Sequence, residues 1–404
     1  MIQLSEEITK IKGGVSSPKG FEAKGVHCGL RYSKKDLGAI ISEAPAVSAA
    51  VYTQSHFQAA PLKVTQESLK KEAVLQAVIV NSAIANACTG DQGLKDAYEM
   101  RDGFASQLGI EPELVAVSST GVIGELLDMK KIQAGIEQLG QAPSVSGAFE
   151  EAILTTDTVT KQTCYELVIG GDIITIGGAA KGSGMIHPNM ATMLGFVTTD
   201  AAVEEQSLKN ALREITDVSF NQITVDGETS TNDMVLVMAN GCAGNDCLTE
   251  QHPDWPAFKK GLKLVCEDLA KDIARDGEGA TKLIEARVEG AKNNLEANII
   301  AKNRRLKPCE DRRLRHRRQL GAHHRRHRAQ CGKRNGRTSE VFLGGQCLFK
   351  HNEPQPFSET DAKEYLSGDE ITIAVRLQEG SGSGRAWGCD LTYDYIKINA
   401  SYRT

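Results

Sequence analysis

Apolar and polar positions alternate along this chain in blocks that change period, which is the pattern of mixed strands and helices. Val74 to Val80 is an almost unbroken apolar run and predicts a buried strand; Leu114 to Val117 predicts another. The text from Gly20 to Ala50 is Gly-punctuated and strand-like. Ala60 to Glu72 has helical spacing, with Pro61 near its start and a Gln/Glu/Lys polar face. Further helices are predicted over Met129–Leu139, Val145–Leu154, Val203–Ile215 and Trp255–Ala274. Tyr165–Ile169 and Ile173–Ile176 flank Gly170-Gly171-Asp172, a hairpin signal. Thr192 to Thr199 predicts a strand, and Val341–Phe349, Phe357–Leu366 and Glu370–Leu377 read strand, helix, strand. The chain has no internal repeat.

With 404 residues the chain can bury a large core and is expected to form two or more lobes. Its start carries no basic segment followed by an apolar one, so no signal peptide is expected. No apolar run approaches a membrane span. The ten cysteines include no Cys-x-x-Cys pair and are expected to be reduced, mostly core, cytosolic thiols rather than metal ligands. Charge changes the picture more. Residues 303–337 hold fourteen Lys/Arg against two acids, so the net −5 hides a balance of −17 elsewhere. A basic tract of this kind can bind phosphates by counterion release. A nucleic-acid-binding protein is therefore a rival class, although the other 369 residues carry no binding motif.

The chemistry concentrates at Lys181-Gly-Ser-Gly-Met-Ile-His-Pro-Asn-Met-Ala-Thr192. Gly182 and Gly184 permit backbone shapes closed to other residues, and Pro188 biases His187 toward an extended shape. A threonine at the mouth of such a bend is a candidate nucleophile; a plain loop into a buried strand is the alternative. The Gly-x-x-x-x-Gly-Lys-Ser/Thr spacing of a phosphate loop is absent. After Val117 comes Ser118-Ser-Thr-Gly-Val-Ile-Gly124. A hydroxyl and the next glycine's N–H can there converge on a developing oxyanion, one such donor being worth about 3 kcal/mol of barrier. An ordinary turn would look the same.

The run Lys-Gly-Ser-Gly-Met-Ile-x-Pro-x-Met-Ala-Thr-Met-Leu resembles the self-cleavage signature of the ornithine acetyltransferase family, the bifunctional glutamate N-acetyltransferases of arginine biosynthesis. Asn81–Gly90 resembles a second family stretch, with Ala83 and Ile84 departing from it; Ser219–Asp233 resembles a third and is expected to be a supporting hydrogen-bonded loop. The resemblance covers nearly the whole chain except residues 303–337. It implies cleavage of the Ala191–Thr192 bond, giving fragments 1–191 and 192–404 that pair as a heterotetramer of two α and two β fragments. It implies Thr192 as nucleophile, Thr120 and Gly121 as oxyanion donors, and Thr155, Lys181, Glu278, Asn399 and Thr404 as substrate contacts. The substrates implied are N2-acetyl-L-ornithine and L-glutamate, in the cytoplasm. No metal or organic cofactor is implied, and acetyl-CoA is a further possible acetyl donor. The fold implied is an α/β sandwich of the αββα kind shared with self-processing aminopeptidases, with a smaller C-terminal α+β lobe over about 285–404.

An N-terminal-nucleophile amidase or aminopeptidase would use the same threonine with water as acceptor, and product analysis with and without glutamate separates the two. Within 303–337 the apolar patterning stops, and four of the nine His stand beside the fourteen Lys/Arg. The family has an apolar strand and an Asn-Trp-Gly-Arg element here. Synonymous codons can be chosen for Leu306 to Ala329 so that reading one base later restores both. The expectation is a compensated pair of single-base shifts, with normal reading resumed by Ser339-Glu340-Val341. A buried strand would then replace the cationic block.

Overall fold

The computed structural model describes residues 8–187, 193–303, 339–351 and 353–400. Ala191, Thr192, Thr404 and, save Asn303, the anomalous block lie outside the described residues. The chain forms two compact units, Met1–Gly182 with Pro188–Asp217 and Thr229–Leu269, and Ser183–His187 with Val218–Glu228 and Ala270–Thr404.

In chain order the strands of the first unit are β1 (Thr9–Ile11), β2 (Phe21–Val26), β3 (Leu37–Tyr52), β4 (Val74–Asn81), β5 (Val115–Ser119), β6 (Lys161–Ile169), β7 (Asp172–Lys181) and β8 (Leu194–Thr199). β9 (Ile223–Thr224) belongs to the second unit, and β10 (Met234–Ala239) returns to the first. They form one nine-stranded sheet in the order β1-β6-β7-β8-β10-β3-β4-β5, with β2 also on β3. Its turning point is β3. The first half of β3 runs between β2 and β4, and the second half pairs with β10, keeping β4 only at Ala46 and Val47. The register against β4 shifts between Ile41 and Ala46. Pro45 lies inside that irregularity, where no ladder N–H is needed.

Alternate residues of these strands face two cores. Ile40, Val78, Val80, Phe196, Leu236 and Met238 share one buried cluster. The helices add little to it: Phe149 from the short α4 (Ala148–Ala152) and Leu62 from α1 (Ala60–Glu72). The two halves of the sheet therefore bury their inner faces on each other. Outside one half, Ala77, Ile79, Val115 and Val117 pack on Met100 and Phe104 of α2 (Gly90–Leu108) and Ile132 and Ile136 of α3 (Met129–Gln141), beside α1 (Ala60–Glu72). Outside the other half, Gly178 of β7 leaves space filled by Val265 and Leu269 of α6 (Trp255–Arg275), which follows α5 (Glu205–Val218). Helix, sheet, sheet, helix is the αββα layering that the family resemblance implies.

The second unit holds a seven-stranded sheet of β9, β11 (Leu283–Ala291), β12 (Glu340–Leu343), β13 (Gln346–Lys350), β14 (Glu353–Pro354), β15 (Glu370–Arg376) and β16 (Gly382–Cys389). Ile284, Val288, Val375 and Ala386 pack against Ala297, Ile300 and Ala301 of α7 (Asn294–Asn303). Helices Glu359–Ser367 and Tyr393–Ala400 complete it. Among the described residues no helix is long and apolar enough to cross a membrane.

The structure revises some expected elements. The helix expected over Val145–Leu154 shrinks to five residues, because Val145 N–H donates to Ala23 O and Gly147 takes a left-handed φ of +87°. The strand expected over Val341–Phe349 is a hairpin turning at Gly344-Gly345, with Leu343 opposite Gln346. Of the eight described cysteines only Cys164, Cys266 and Cys389 are buried, so the thiols are not mostly core.

Candidate active site

The first unit gathers three of the predicted residues around one ammonium group. Lys181 ends β7, and its Nζ donates to Thr155 Oγ1 at 2.6 Å and to Thr120 Oγ1 at 3.3 Å. Thr155 sits in the turn after α4, held by Arg31, whose guanidinium donates to Leu154 O (2.6 Å) and Thr155 O (3.1 Å). Thr120 stands just beyond β5, its N–H donating to Asn81 O at 3.0 Å. Gly121 follows with φ +125°, and a Cβ there would overlap the Ala83 carbonyl. Only glycine fits that approach. Among the described residues the Gly121 N–H donates to no partner.

Buried polar groups fix this corner. Asn232 Nδ2 donates to Ala85 O (2.6 Å) and Ser119 O (2.8 Å), and Asn81 Nδ2 donates to Ser119 Oγ (2.6 Å). The supporting role expected of the loop ending at Asp233 is thus visible at Asn232. Asp157 Oδ1 accepts from Lys161 Nζ at 2.7 Å and from Gly182 N–H at 2.6 Å, and its Oδ2 accepts from Thr155 N–H at 2.9 Å. Lys181 Nζ lies 4.0 Å from the same carboxylate. Burial works against the Asp157 charge, but Lys181 and Lys161 outweigh it and hold the carboxyl well below the usual range. The buried Asp233 behaves oppositely: desolvation pushes its carboxyl far up, despite the Met193 N–H and the Lys181 charge.

The second unit assembles a separate cluster. Glu278 lies in the Asp276-Gly-Glu-Gly279 turn, and Asn399 Nδ2 donates to its Oε2 at 2.9 Å. Glu278 N–H donates to Ser183 O at 2.8 Å, and a Cβ on Gly184 would collide with the Glu278 carboxylate. The C-terminal helix is seated on this turn by Thr392 Oγ1, which donates to Gly279 O at 2.7 Å. Glu278 and Asn399 are therefore brought together by a direct hydrogen bond.

The ArgJ family model matches residues 22–304 and 328–404. The arginine biosynthesis bifunctional protein ArgJ of Bacillus subtilis (strain 168) is 76% identical over 410 residues, spanning 100% of both chains. The chain belongs to the ArgJ family. Among solved structures, the bifunctional protein ArgJ of Bacillus halodurans is 57% identical, covering 46% of this chain and 100% of its own, with TM-score 0.45. Ornithine acetyltransferase of Mycobacterium tuberculosis, solved in complex with ornithine, is 36% identical with the same coverages and TM-score 0.43. The ArgJ match breaks off at 304 and resumes at 328, inside the cationic block.

Sequence reasoning missed Arg31, Asp157 and Lys161 of this ArgJ-family site. Arg and Lys are read from sequence as solvated, and only tertiary burial makes them supports. Asp157 had a signal in the Thr155-Thr-Asp-Thr turn, where a carboxylate can take nearby backbone N–H groups. Ile84, one of the two departures from the family pattern, contributes packing to the α2/α3 core and a bridge to Val122.

Proposed function

We propose that this ArgJ-family chain cuts itself between Ala191 and Thr192, and that the freed Thr192 moves an acetyl group from N2-acetyl-L-ornithine to L-glutamate. The observation that carries the reading is the convergence of Thr120 and Thr155 on the Lys181 ammonium within hydrogen-bonding distance, with Gly121 next to Thr120 in the chain. Cleavage creates an α-amine whose ordinary pKa is near 8, able to take the proton of its own hydroxyl. The Thr192 oxygen attacks the acetyl carbonyl, and the carbonyl oxygen gathers charge opposite the Thr120 hydroxyl and the Gly121 N–H. Ornithine leaves with a proton, and an acetyl ester remains on Thr192. The glutamate amine then attacks that ester and leaves as N-acetylglutamate, returning the Thr192 hydroxyl.

Lys181 supplies a cation for the amino-acid α-carboxylate, a charge-assisted contact, with Thr155 placed by the same ammonium. Glu278 suits the cationic side-chain amine of ornithine, with Asn399 and Thr404 as further contacts. The chemistry needs no metal or organic cofactor, and acetyl-CoA can load the same ester. The two fragments pair as a heterotetramer of two α and two β, a cytoplasmic enzyme.

Intact-mass measurement tests the reading. The wild type should resolve into two fragments, whereas Thr192→Ala should remain one chain near 43.6 kDa and transfer nothing. Splitting of that variant at 191/192 would remove Thr192 from its role. Acetate release by the wild type without glutamate, at the rate of transfer, would make it an amidase instead.

A further inference from the structure

Asp226 lies outside every site residue assigned above, yet one carboxylate there holds two functional segments of the second unit. Its Oδ2 accepts from Met185 N–H at 2.6 Å and its Oδ1 from Ile186 N–H at 2.9 Å. Oδ1 also accepts from Glu228 N–H at 3.0 Å, and Tyr395 O–H donates to Oδ2 at 3.3 Å. Met185 is a non-glycine residue with a φ of +56°, a conformation a side chain adopts only when its surroundings hold it. The hold is supplied on both sides: Val225 N–H donates to Ile186 O at 2.7 Å, and Ser183 O accepts from Glu278 N–H. His187 Nδ1 lies 3.0 Å from Thr224 Oγ1. Residues 183–187 are thus laid along 224–226 immediately before the bond proposed to break. Tyr395 belongs to the helix that carries Asn399.

We infer that Asp226 is a positioning residue that ties the self-cleavage segment to the substrate-binding C-terminal helix. This rests on the cleavage reading given above. An amide cannot replace the carboxylate: Asn accepts through one oxygen only, and in either orientation its NH2 would face a backbone N–H, that of Met185 or those of Ile186 and Glu228. The left-handed turn at Met185 then loses the acceptor that holds it, and the chain leading to Ala191 samples more shapes. Tyr395 donates to the same oxygen as the Met185 N–H but from the helix bearing Asn399, so removing its hydroxyl frees that helix while both 185–186 N–H groups keep their acceptors.

Asp226→Asn and Tyr395→Phe, each in the full chain, separate the two arms. Asp226→Asn is expected to slow the appearance of the two fragments by roughly tenfold or more, followed by intact mass over time, with the thermal midpoint of the uncut chain near that of Thr192→Ala. Tyr395→Phe is expected to cleave at the wild-type rate and to raise KM for N2-acetyl-L-ornithine about three- to tenfold at unchanged kcat. Wild-type cleavage by Asp226→Asn overturns the first arm, and a wild-type KM in Tyr395→Phe overturns the second. Should Asp226→Asn fail to fold, the KM of Tyr395→Phe decides the inference by itself. An uncut wild type defeats the cleavage reading, and this inference with it; a cut wild type with unaffected variants defeats the inference only.

Discussion

Asp157 carries more of the site than its size suggests, because two lysines depend on its one carboxylate. Asp157→Asn removes the carboxylate that pairs with the fully buried Lys161, a change expected to cost about 3–5 kcal/mol. The folded pKa of Asp157 is depressed, so its contribution is present above the ordinary carboxylate range and lost as pH falls through the lower folded value. Denaturant unfolding of wild type and variant should therefore differ fully at pH 7, and converge only in strong acid. Thr120→Ala tests the reaction rather than the scaffold. Losing one oxyanion donor is expected to lower kcat by ~2–4 kcal/mol of barrier while leaving KM little changed. A variant that loses only affinity would take Thr120 out of that role. Thr120, Gly121, Thr155 and Lys181 come to notice through the family resemblance, since by themselves their stretches read as plain turns. Arg31 and Lys161 go unnoticed, since nothing local says that a cation will be enclosed.

Elements divide the same way. Ala60–Glu72, the Gly170-Gly171 hairpin and Val74–Asn81 are legible because period and turn chemistry agree with the burial they receive. Gly90–Leu108 goes unread although it is 19 residues long. Its buried stripe is Gly93, Asp96, Ala97, Met100, Arg101, Phe104 and Ala105, helical in spacing but diluted by glycine and charge. Asn294–Asn303 is missed for a related reason, since Ala297 and Ala301 are two of the three buried residues it gives the core. The cationic block is an element-scale problem too. We propose that the sequence over 303–337 carries a compensated pair of single-base errors, a reading supported by the apolar text one base later and by the break in the family match. A peptide map is expected to lack His323-His324-Arg325 and to contain an apolar strand with Asn-Trp-Gly-Arg. Recovery of the His-His-Arg peptide would show that the cationic frame is translated.

At the scale of the whole molecule, the register between β7 and β8 decides what a cut can do. Lys181 stands opposite Leu194 and Ala180 opposite Gly195, so the two strands that flank Ala191–Thr192 are hydrogen-bonded neighbours. Their inner faces share one core, Ala179 with Phe196, and β8 is paired in turn with β10. A broken bond between them would leave every ladder in place. It would also turn a search within one chain into an encounter between two. The mature protein would then hold a shape it cannot readily find again: renaturation becomes second order, slower at each dilution, and exposed to aggregation while partners are sought. Thr192→Ala, still one chain, is expected to regain its fold from urea at a rate independent of concentration, whereas the cut protein is expected to lose yield as it is diluted. Each molecule would in effect be folded once, with its joint removed after assembly, and its lifetime set by how slowly it opens.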